Sequence, residues 1–173
     1  AADRDESQPV VIAGGHAAFN PEPIADFIDL AVLGDGEEAV VKISQIVREW
    51  KTQARPGGRD GLLLRLAQTG SGYVPSLYQV DYLPDGRIRQ VRPTRSDIPT
   101  RVPKNTLENL DRWPYPKAPL VPLAETVHER YSVEVFRGCT RGCRFCQAGM
   151  ITRPVRERSI DTIGDMVASG LRA

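Results

Sequence analysis

Residues 30–36 (LAVLGDG) and 37–50 (EEAVVKISQIVREW) are the stretch from which the architecture of the chain can be predicted. The four apolar residues 30–33 have the length and composition of a buried strand, and the glycines at 34 and 36 end it. Beyond them, apolar side chains recur at the 3.6-residue period of an amphipathic helix, at Ala39, Ile43, Ile46, Val47 and Trp50. The stretch therefore predicts a strand followed by a long helix.

The same alternation precedes this stretch. Residues 10–14 (VVIAG) have the character of a buried parallel strand. Residues 21–28 (PEPIADFI) predict a short helix, with Asn20 as its cap and Pro21 at its first position. Strand, helix, strand and helix in this order indicate the α/β class.

A β-hairpin is predicted further along the chain, after a loop at 52–60 and a short helix at 61–68. Tyr78, Val80 and Tyr82 alternate onto one face, residues 84–86 (PDG) turn the chain, and residues 87–91 return it. Residues 92–122 hold seven prolines and predict an extended connector. Residues 131–136 predict a strand, and residues 160–171 a helix.

That last helix should begin at Ser159 and carry Ile163, Met166 and Val167 on its apolar face. Ahead of it lies a loop rich in glycine and cysteine, at 137–149. The carboxyl-terminal part of the chain therefore predicts strand, loop and helix.

The overall composition fits a globular protein, with 40% hydrophobic and 26% charged residues. The net charge of +1 does not indicate wholesale binding to a polyanion. No apolar run has the length of a membrane span, and no signal-peptide pattern opens the chain. We therefore expect a cytoplasmic protein without a membrane association. The ends of the sequence suggest a fragment of a longer protein.

All three cysteines, Cys139, Cys143 and Cys146, lie within eight residues, at the spacing C-x3-C-x2-C. An odd count at this spacing argues against a disulfide framework and for a metal. Gly138 and Gly142 should let the backbone wrap closely, and the arginines of the loop favour the ligating thiolate. Two kinds of site remain open. A structural zinc would need a fourth ligand such as His128, whereas an iron–sulfur cluster held by three thiolates keeps one iron open.

The cysteine motif, with Phe145 just before its last cysteine, resembles the signature of the radical S-adenosylmethionine superfamily. The resemblance implies a [4Fe-4S] cluster on Cys139, Cys143 and Cys146 whose open iron chelates S-adenosylmethionine. An electron donor would then drive reductive cleavage to methionine and a 5′-deoxyadenosyl radical. Phe145 would pack near the adenine.

The flanking sequence is similar to a subgroup with an N-terminal cobalamin-binding-type domain. This resemblance implies three parts: the end of a Rossmann-like cobalamin-binding-type domain (1–52), a hairpin and connector (53–130), and the first β-α unit of a partial TIM-type barrel (131–173). Gly14 and Gly15 could line the nucleotide tail of cobalamin, or form only a tight exit from a strand. No Asp-x-His-x-x-Gly loop is present, and His16 has the character of a loop histidine.

Several readings stay open from the sequence alone. Arg153, Arg156 and Arg158 could contact RNA or form a solvated face, and Tyr78 and Tyr82 could stack on bases or pack internally. A zinc-stabilised nucleic-acid or protein binding module, with the three cysteines and His128 as ligands, is the first alternative to the enzyme. A degenerate, non-catalytic member of the same superfamily is the second. The substrate cannot be predicted from these residues.

Overall fold

A computed structural model of the chain describes residues 3–118, 123–124, 127 and 131–172. The chain forms two compact units, Ala1–Thr106 and Leu107–Ala173. Within the described residues the protein is mixed α/β, with small sheets. His128, Pro119 and Pro122 lie outside the described residues.

The first unit is built on a three-stranded sheet of β1 (Ile12–Ala13), β2 (Leu30–Val32) and β3 (Gly72–Tyr73). β1 and β2 are parallel, with Ile12 opposite Leu30, as the sequence pattern predicted. β3 pairs with the other side of β2 in the antiparallel sense. All three residues of β2 are buried, which explains why this strand is apolar without alternation.

Two 3₁₀ helices, His16–Phe19 and Glu22–Phe27, connect β1 to β2. The predicted helix at 21–28 is therefore present as a 3₁₀ helix, and Pro21 takes the cap position that we expected for Asn20. Pro21 and Pro23 lack a backbone N–H, which limits the hydrogen bonds that a longer regular helix would need.

The core of the first unit lies between the sheet and two helices, α1 (Glu37–Thr52) and α2 (Gly58–Ala67). Ala39, Ile43 and Trp50 of the predicted apolar face of α1 are buried, and Ile46 and Val47 pack at the edge of the core. α2 begins three residues before the predicted start. Its contribution to the core is Leu62, Leu63, Leu66 and Ala67.

The predicted hairpin is confirmed as β4 (Tyr78–Tyr82) and β5 (Ile88–Pro93), with an irregular register between Asp81 and Tyr82. Tyr78 packs internally, because its ring centroid lies 4.6 Å from that of Tyr73 and its hydroxyl donates to the Pro99 carbonyl at 2.8 Å. Tyr82 is 60% exposed. The proline-rich stretch that follows is irregular between Thr94 and Asn109, and its role as a connector stays a prediction.

The second unit contains β6 (Phe136–Arg137), α3 (Ala148–Ile151), β7 (Arg156–Glu157) and α4 (Ile160–Gly170), preceded by the 3₁₀ helix Leu110–Arg112. The prediction of a strand over 131–136 is wrong for most of its length. Among the described strands, β6 pairs only with β7, in the antiparallel sense. The residues of the predicted strand region that take part in this pairing are Phe136 and Arg137. The partial barrel and the three-part domain division therefore stay predictions.

α4 confirms the predicted helix and its cap. Met166 is buried and Ile163 half-buried, whereas Val167 is 38% exposed. Among the described residues, no helix combines the length and the apolar character needed to cross a bilayer.

Candidate functional site

The three cysteines lie in the loop that connects β6 to α3, which we call the cysteine loop (residues 138–147). Cys139 and Cys146 are half-buried and Cys143 is exposed. A turn brings the second and third cysteines together along the backbone, since the amide of Cys146 donates to the carbonyl of Cys143 at 3.0 Å. All three thiols are free.

The described residues contain no group of three histidine, cysteine, aspartate or glutamate side chains close enough to hold a metal ion. The donor set of the loop is nevertheless uniform, because it offers three thiols without a carboxylate or imidazole between them. Three thiols of one loop fit an iron–sulfur cluster with one open iron. The fourth zinc ligand of the alternative, His128, lies outside the described residues.

Gly138 permits a close approach between the start of the cysteine loop and the segment before β7. Its φ is +102°, and a Cβ at this position would clash with the Pro154 carbonyl oxygen and lie 2.8 Å from Cα of Val155. Glycine is thus required here, as predicted. The same expectation for Gly142 is wrong, because no described residue lies within 4 Å of its Cβ position and its φ is not in the left-handed region.

Arg153 connects the segment before β7 to the backbone of the cysteine loop. Its Nε donates to the Cys139 carbonyl at 3.2 Å, and its Nη2 donates to the carbonyls of Thr140 at 3.5 Å and Arg141 at 2.9 Å. One side chain thus holds three successive carbonyl groups.

Arg156 and Arg158 are only 9% and 6% exposed. The two alternatives that the sequence left open, an RNA contact and a solvated face, are therefore both wrong for these two residues. Arg156 donates to the carbonyls of Leu107, Thr152 and Pro154. Arg158 donates to the Leu110 carbonyl at 2.6 Å and to the Glu134 carboxylate. Both side chains therefore support the fold of the second unit and present no surface to RNA.

Glu134 lies between Arg137 and Arg158, at 2.6 Å from a nitrogen of each. Partial burial would raise the pKa of Glu134, but the hydrogen bonds from Arg137 and Arg158 outweigh it and hold the pKa below its usual value. Because Arg137 is paired in this way, the exposed Arg141 and Arg144 supply the free positive charge that we predicted around the loop.

Phe145 is 93% exposed, so its ring is not packed into a core. An exposed ring beside Cys146 is available to a ligand of the loop. Its contact with adenine stays a prediction.

Gly14 and Gly15 follow β1, at the carboxyl end of the parallel strand pair. Gly15 has a φ of +81°, and no described residue lies within 4 Å of the position of a Cβ at either glycine. His16 is exposed and begins a 3₁₀ helix. The structure thus leaves the backbone at Gly14 and Gly15 open.

The loop after β2, by contrast, is in contact with another segment of the same unit. Gly34, with a φ of +93°, faces the backbone of Asn105, and a Cβ there would lie 2.8 Å from the Asn105 nitrogen. The Asn105 amide donates to the Leu33 carbonyl at 2.8 Å, and the Asp35 amide donates to the Asn105 carbonyl at 2.9 Å. Gly34 therefore serves an internal contact.

Sequence reasoning missed the structural roles of Glu134 and Arg153. A usable signal was present for the arginines, since Arg156 and Arg158 alternate with Glu157 as residues of a strand do, with the two arginines on one face. The partners of these side chains lie up to 49 residues away along the chain, as between Arg156 and Leu107.

Comparisons with known proteins agree with the resemblance in part. Residues 1–75 match the family described as "Radical SAM proteins, N-terminal". The uncharacterized protein MJ0966 of Methanocaldococcus jannaschii is 25% identical over 167 residues, which cover 94% of this chain and 29% of that protein. No solved structure matches the chain. The chain spans less than a third of that protein's length, and its first 75 residues are similar to the radical SAM N-terminal family.

Proposed function

We propose that this chain is part of a radical S-adenosylmethionine enzyme and that Cys139, Cys143 and Cys146 bind its [4Fe-4S] cluster. The observation that carries the proposal is the agreement of two separate parts of the chain. The family match covers residues 1–75, in the first unit. The cysteine loop lies in the second unit, outside that match. Each part points to the same superfamily without the other.

The residues of the loop have distinct roles in this proposal. The three thiolates supply three ligands, which leaves one iron of a cubane cluster open. When bound, the cluster would supply the electron that cleaves S-adenosylmethionine into methionine and a 5′-deoxyadenosyl radical. Arg141 and Arg144, both exposed, place positive charge where an anionic cluster and the carboxylate of S-adenosylmethionine would lie. Phe145 offers an exposed ring to the adenine.

Binding of cobalamin is a second and separate part of the proposal. The cleavage of S-adenosylmethionine does not depend on it. Gly14 and Gly15 fit such a group, because ligands of open α/β sheets bind at the carboxyl ends of parallel strands and the backbone here is unobstructed. Bound cobalamin would supply a cobalt centre for group transfer. Addition of cobalamin to the chain, followed by visible absorption and gel filtration, tests whether it is retained.

The experiment for the main proposal is anaerobic reconstitution with iron and sulfide, followed by metal analysis and electron paramagnetic resonance of the reduced sample. We expect about four irons per chain and a signal that changes when S-adenosylmethionine is added. About one zinc per chain, without uptake of iron, would instead establish the binding-module alternative. A cluster whose electron paramagnetic resonance signal does not change when S-adenosylmethionine is added would favour a degenerate member of the superfamily.

Cys143→Ala should abolish stable cluster binding, because two remaining thiolates cannot hold a cubane cluster that needs three protein ligands. Thr140→Ala is the matched control, since it truncates an exposed side chain of the same loop and leaves every thiol in place. Iron per chain and the absorption of the reconstituted protein measure both variants. Full iron stoichiometry in Cys143→Ala would contradict the proposal.

A further inference from the structure

The guanidinium of Arg153 lies against the first half of the cysteine loop. Its three hydrogen bonds, at 3.2, 3.5 and 2.9 Å, end on the carbonyls of residues 139, 140 and 141. The first of these residues is a predicted cluster ligand, Cys139. We propose that Arg153 is a positioning residue, which sets the backbone of Cys139 and raises the reduction potential of the cluster that the loop would hold. This inference rests on the proposed function.

The fold brings Arg153 to this place by two contacts. The antiparallel pair of β6 and β7 sets Arg137 opposite Arg156. Gly138 then lets the entry of the loop touch the backbone of Pro154 and Val155. Residue 153, which comes shortly after α3 in sequence, therefore lies beside the cysteine loop. Its side chain has only a short distance to reach the carbonyl groups of that loop.

The backbone segment that Arg153 holds also carries an amide that contacts the sulfur of a predicted cluster ligand. The amide of Arg141 donates to Sγ of Cys139 at 3.4 Å. Hydrogen bonds to a ligating sulfur stabilise the more negative, reduced form of a cluster and so raise its reduction potential. Arg153 thus acts on Cys139 through the backbone that carries this amide.

The charge of Arg153 acts in the same direction. A guanidinium stays protonated at any physiological pH, so the positive charge beside Cys139 is permanent. Lysine would keep that charge, but its ammonium group is compact and cannot span three carbonyls as the planar guanidinium does. The two substitutions Arg153→Lys and Arg153→Met therefore separate geometry from charge.

The experiment compares the reconstituted chain with Arg153→Lys, Arg153→Met and a control, Arg112→Met. Arg112 is an exposed arginine of the same unit outside the cysteine loop, so its substitution removes the same charge. Iron release to a chelator and the midpoint potential of the cluster are measured. Hydrogen exchange of the loop peptide in the metal-free chain is the third measurement.

We expect both Arg153 variants to release iron about tenfold faster, as outer-shell substitutions do in other metal sites. The midpoint potential should become more negative in Arg153→Met and remain closer to the parent in Arg153→Lys. The loop amides should exchange faster in both Arg153 variants, and Arg112→Met should change none of these values.

An unchanged potential and unchanged loop exchange in Arg153→Met would overturn the inference, whatever the effect on thermal stability. If the parent chain takes up no iron, the proposed function fails. Faster loop exchange in the metal-free Arg153 variants would still support the positioning role, and equal exchange would overturn it.

Discussion

Gly138 shows how one residue determines the path of the chain into the cysteine loop. Its left-handed φ of +102° is open to glycine and strained for other residues. The backbone of Pro154 and Val155 also fills the space that a side chain would need. The left-handed conformation and the close backbone contact therefore each disfavour a side chain at this position.

Gly138→Ala should destabilise the second unit by about 2 kcal/mol, because left-handed strain and a backbone clash add together. Gly142→Ala is the matched control and should change stability little, since no described residue lies within 4 Å of its Cβ position. Denaturant unfolding followed by circular dichroism measures both. Equal stabilities of the two variants would contradict the close approach described here.

At the scale of an element, the start of α4 shows how a helix is anchored to its own unit. The Ser159 hydroxyl accepts a hydrogen bond from the amide of Thr162 at 3.2 Å, which satisfies one of the free donors of the first turn. The Ser159 amide donates to the carboxylate of Asp111 at 3.1 Å. The hydrogen bonds from Ser159 in turn hold the pKa of Asp111 below its usual value.

Ser159→Ala should cost about 1 kcal/mol, the usual effect of losing a side-chain cap. Ser169→Ala, near the other end of the same helix, makes the same chemical change without removing the cap. It should leave stability unchanged or slightly raised, because alanine is the better helix former. Hydrogen exchange of the peptide that contains the first turn of α4 is the measurement. Comparable protection in the two variants would show that the cap contributes little.

On the scale of a whole unit, Asp29 contacts three residues that lie 18 to 30 positions away from it in sequence. Its carboxylate, 1% exposed, lies 2.8 Å from nitrogens of Arg4 and Arg59 and accepts from the Val11 amide at 2.7 Å. The N-terminal segment, the residue before β1 and α2 thus meet at one oxygen atom. Burial alone would raise the pKa of Asp29, but the Val11 amide and the two arginines outweigh it and lower the pKa.

Asp29→Asn should destabilise the first unit by about 2 to 3 kcal/mol at neutral pH, since it leaves two arginines without their counter-charge. Asp97→Asn is the control, because it breaks an exposed ion pair with Arg95 and should matter little. Urea unfolding of both variants, compared with the parent, measures the difference.

The pH dependence of the Asp29 contribution has a definite sign. A carboxylate whose pKa is lower in the folded state stabilises the fold fully above its ordinary pKa of 3.8. That stabilisation is lost as the pH falls through the lower, folded-state pKa. The gap between the parent and Asp29→Asn should therefore narrow in acid, and a gap that is constant with pH would contradict the assignment.

Predictions from sequence succeeded where the signal is local. The apolar face of α1 repeats within 12 residues, from Ala39 to Trp50, and needs no knowledge of its partner. The hairpin pairs residues that are close in sequence, and a Pro-Asp-Gly turn marks its tip. The strand over 131–136 was mostly wrong, because a strand exists only where a partner lies, and β7 pairs with Phe136 and Arg137 alone.

By itself, the sequence determined the α/β order of the first unit, the apolar face of α1, the cap of α4 and the grouping of three cysteines in one loop. These features depend on composition and periodicity over a few residues. Only the tertiary structure decided that Arg156 and Arg158 are internal, that Arg153 holds the cysteine loop and that Asp29 joins two arginines. Each of these depends on partners 12 to 49 residues away, and no local pattern encodes which carbonyl or charge a long side chain will meet.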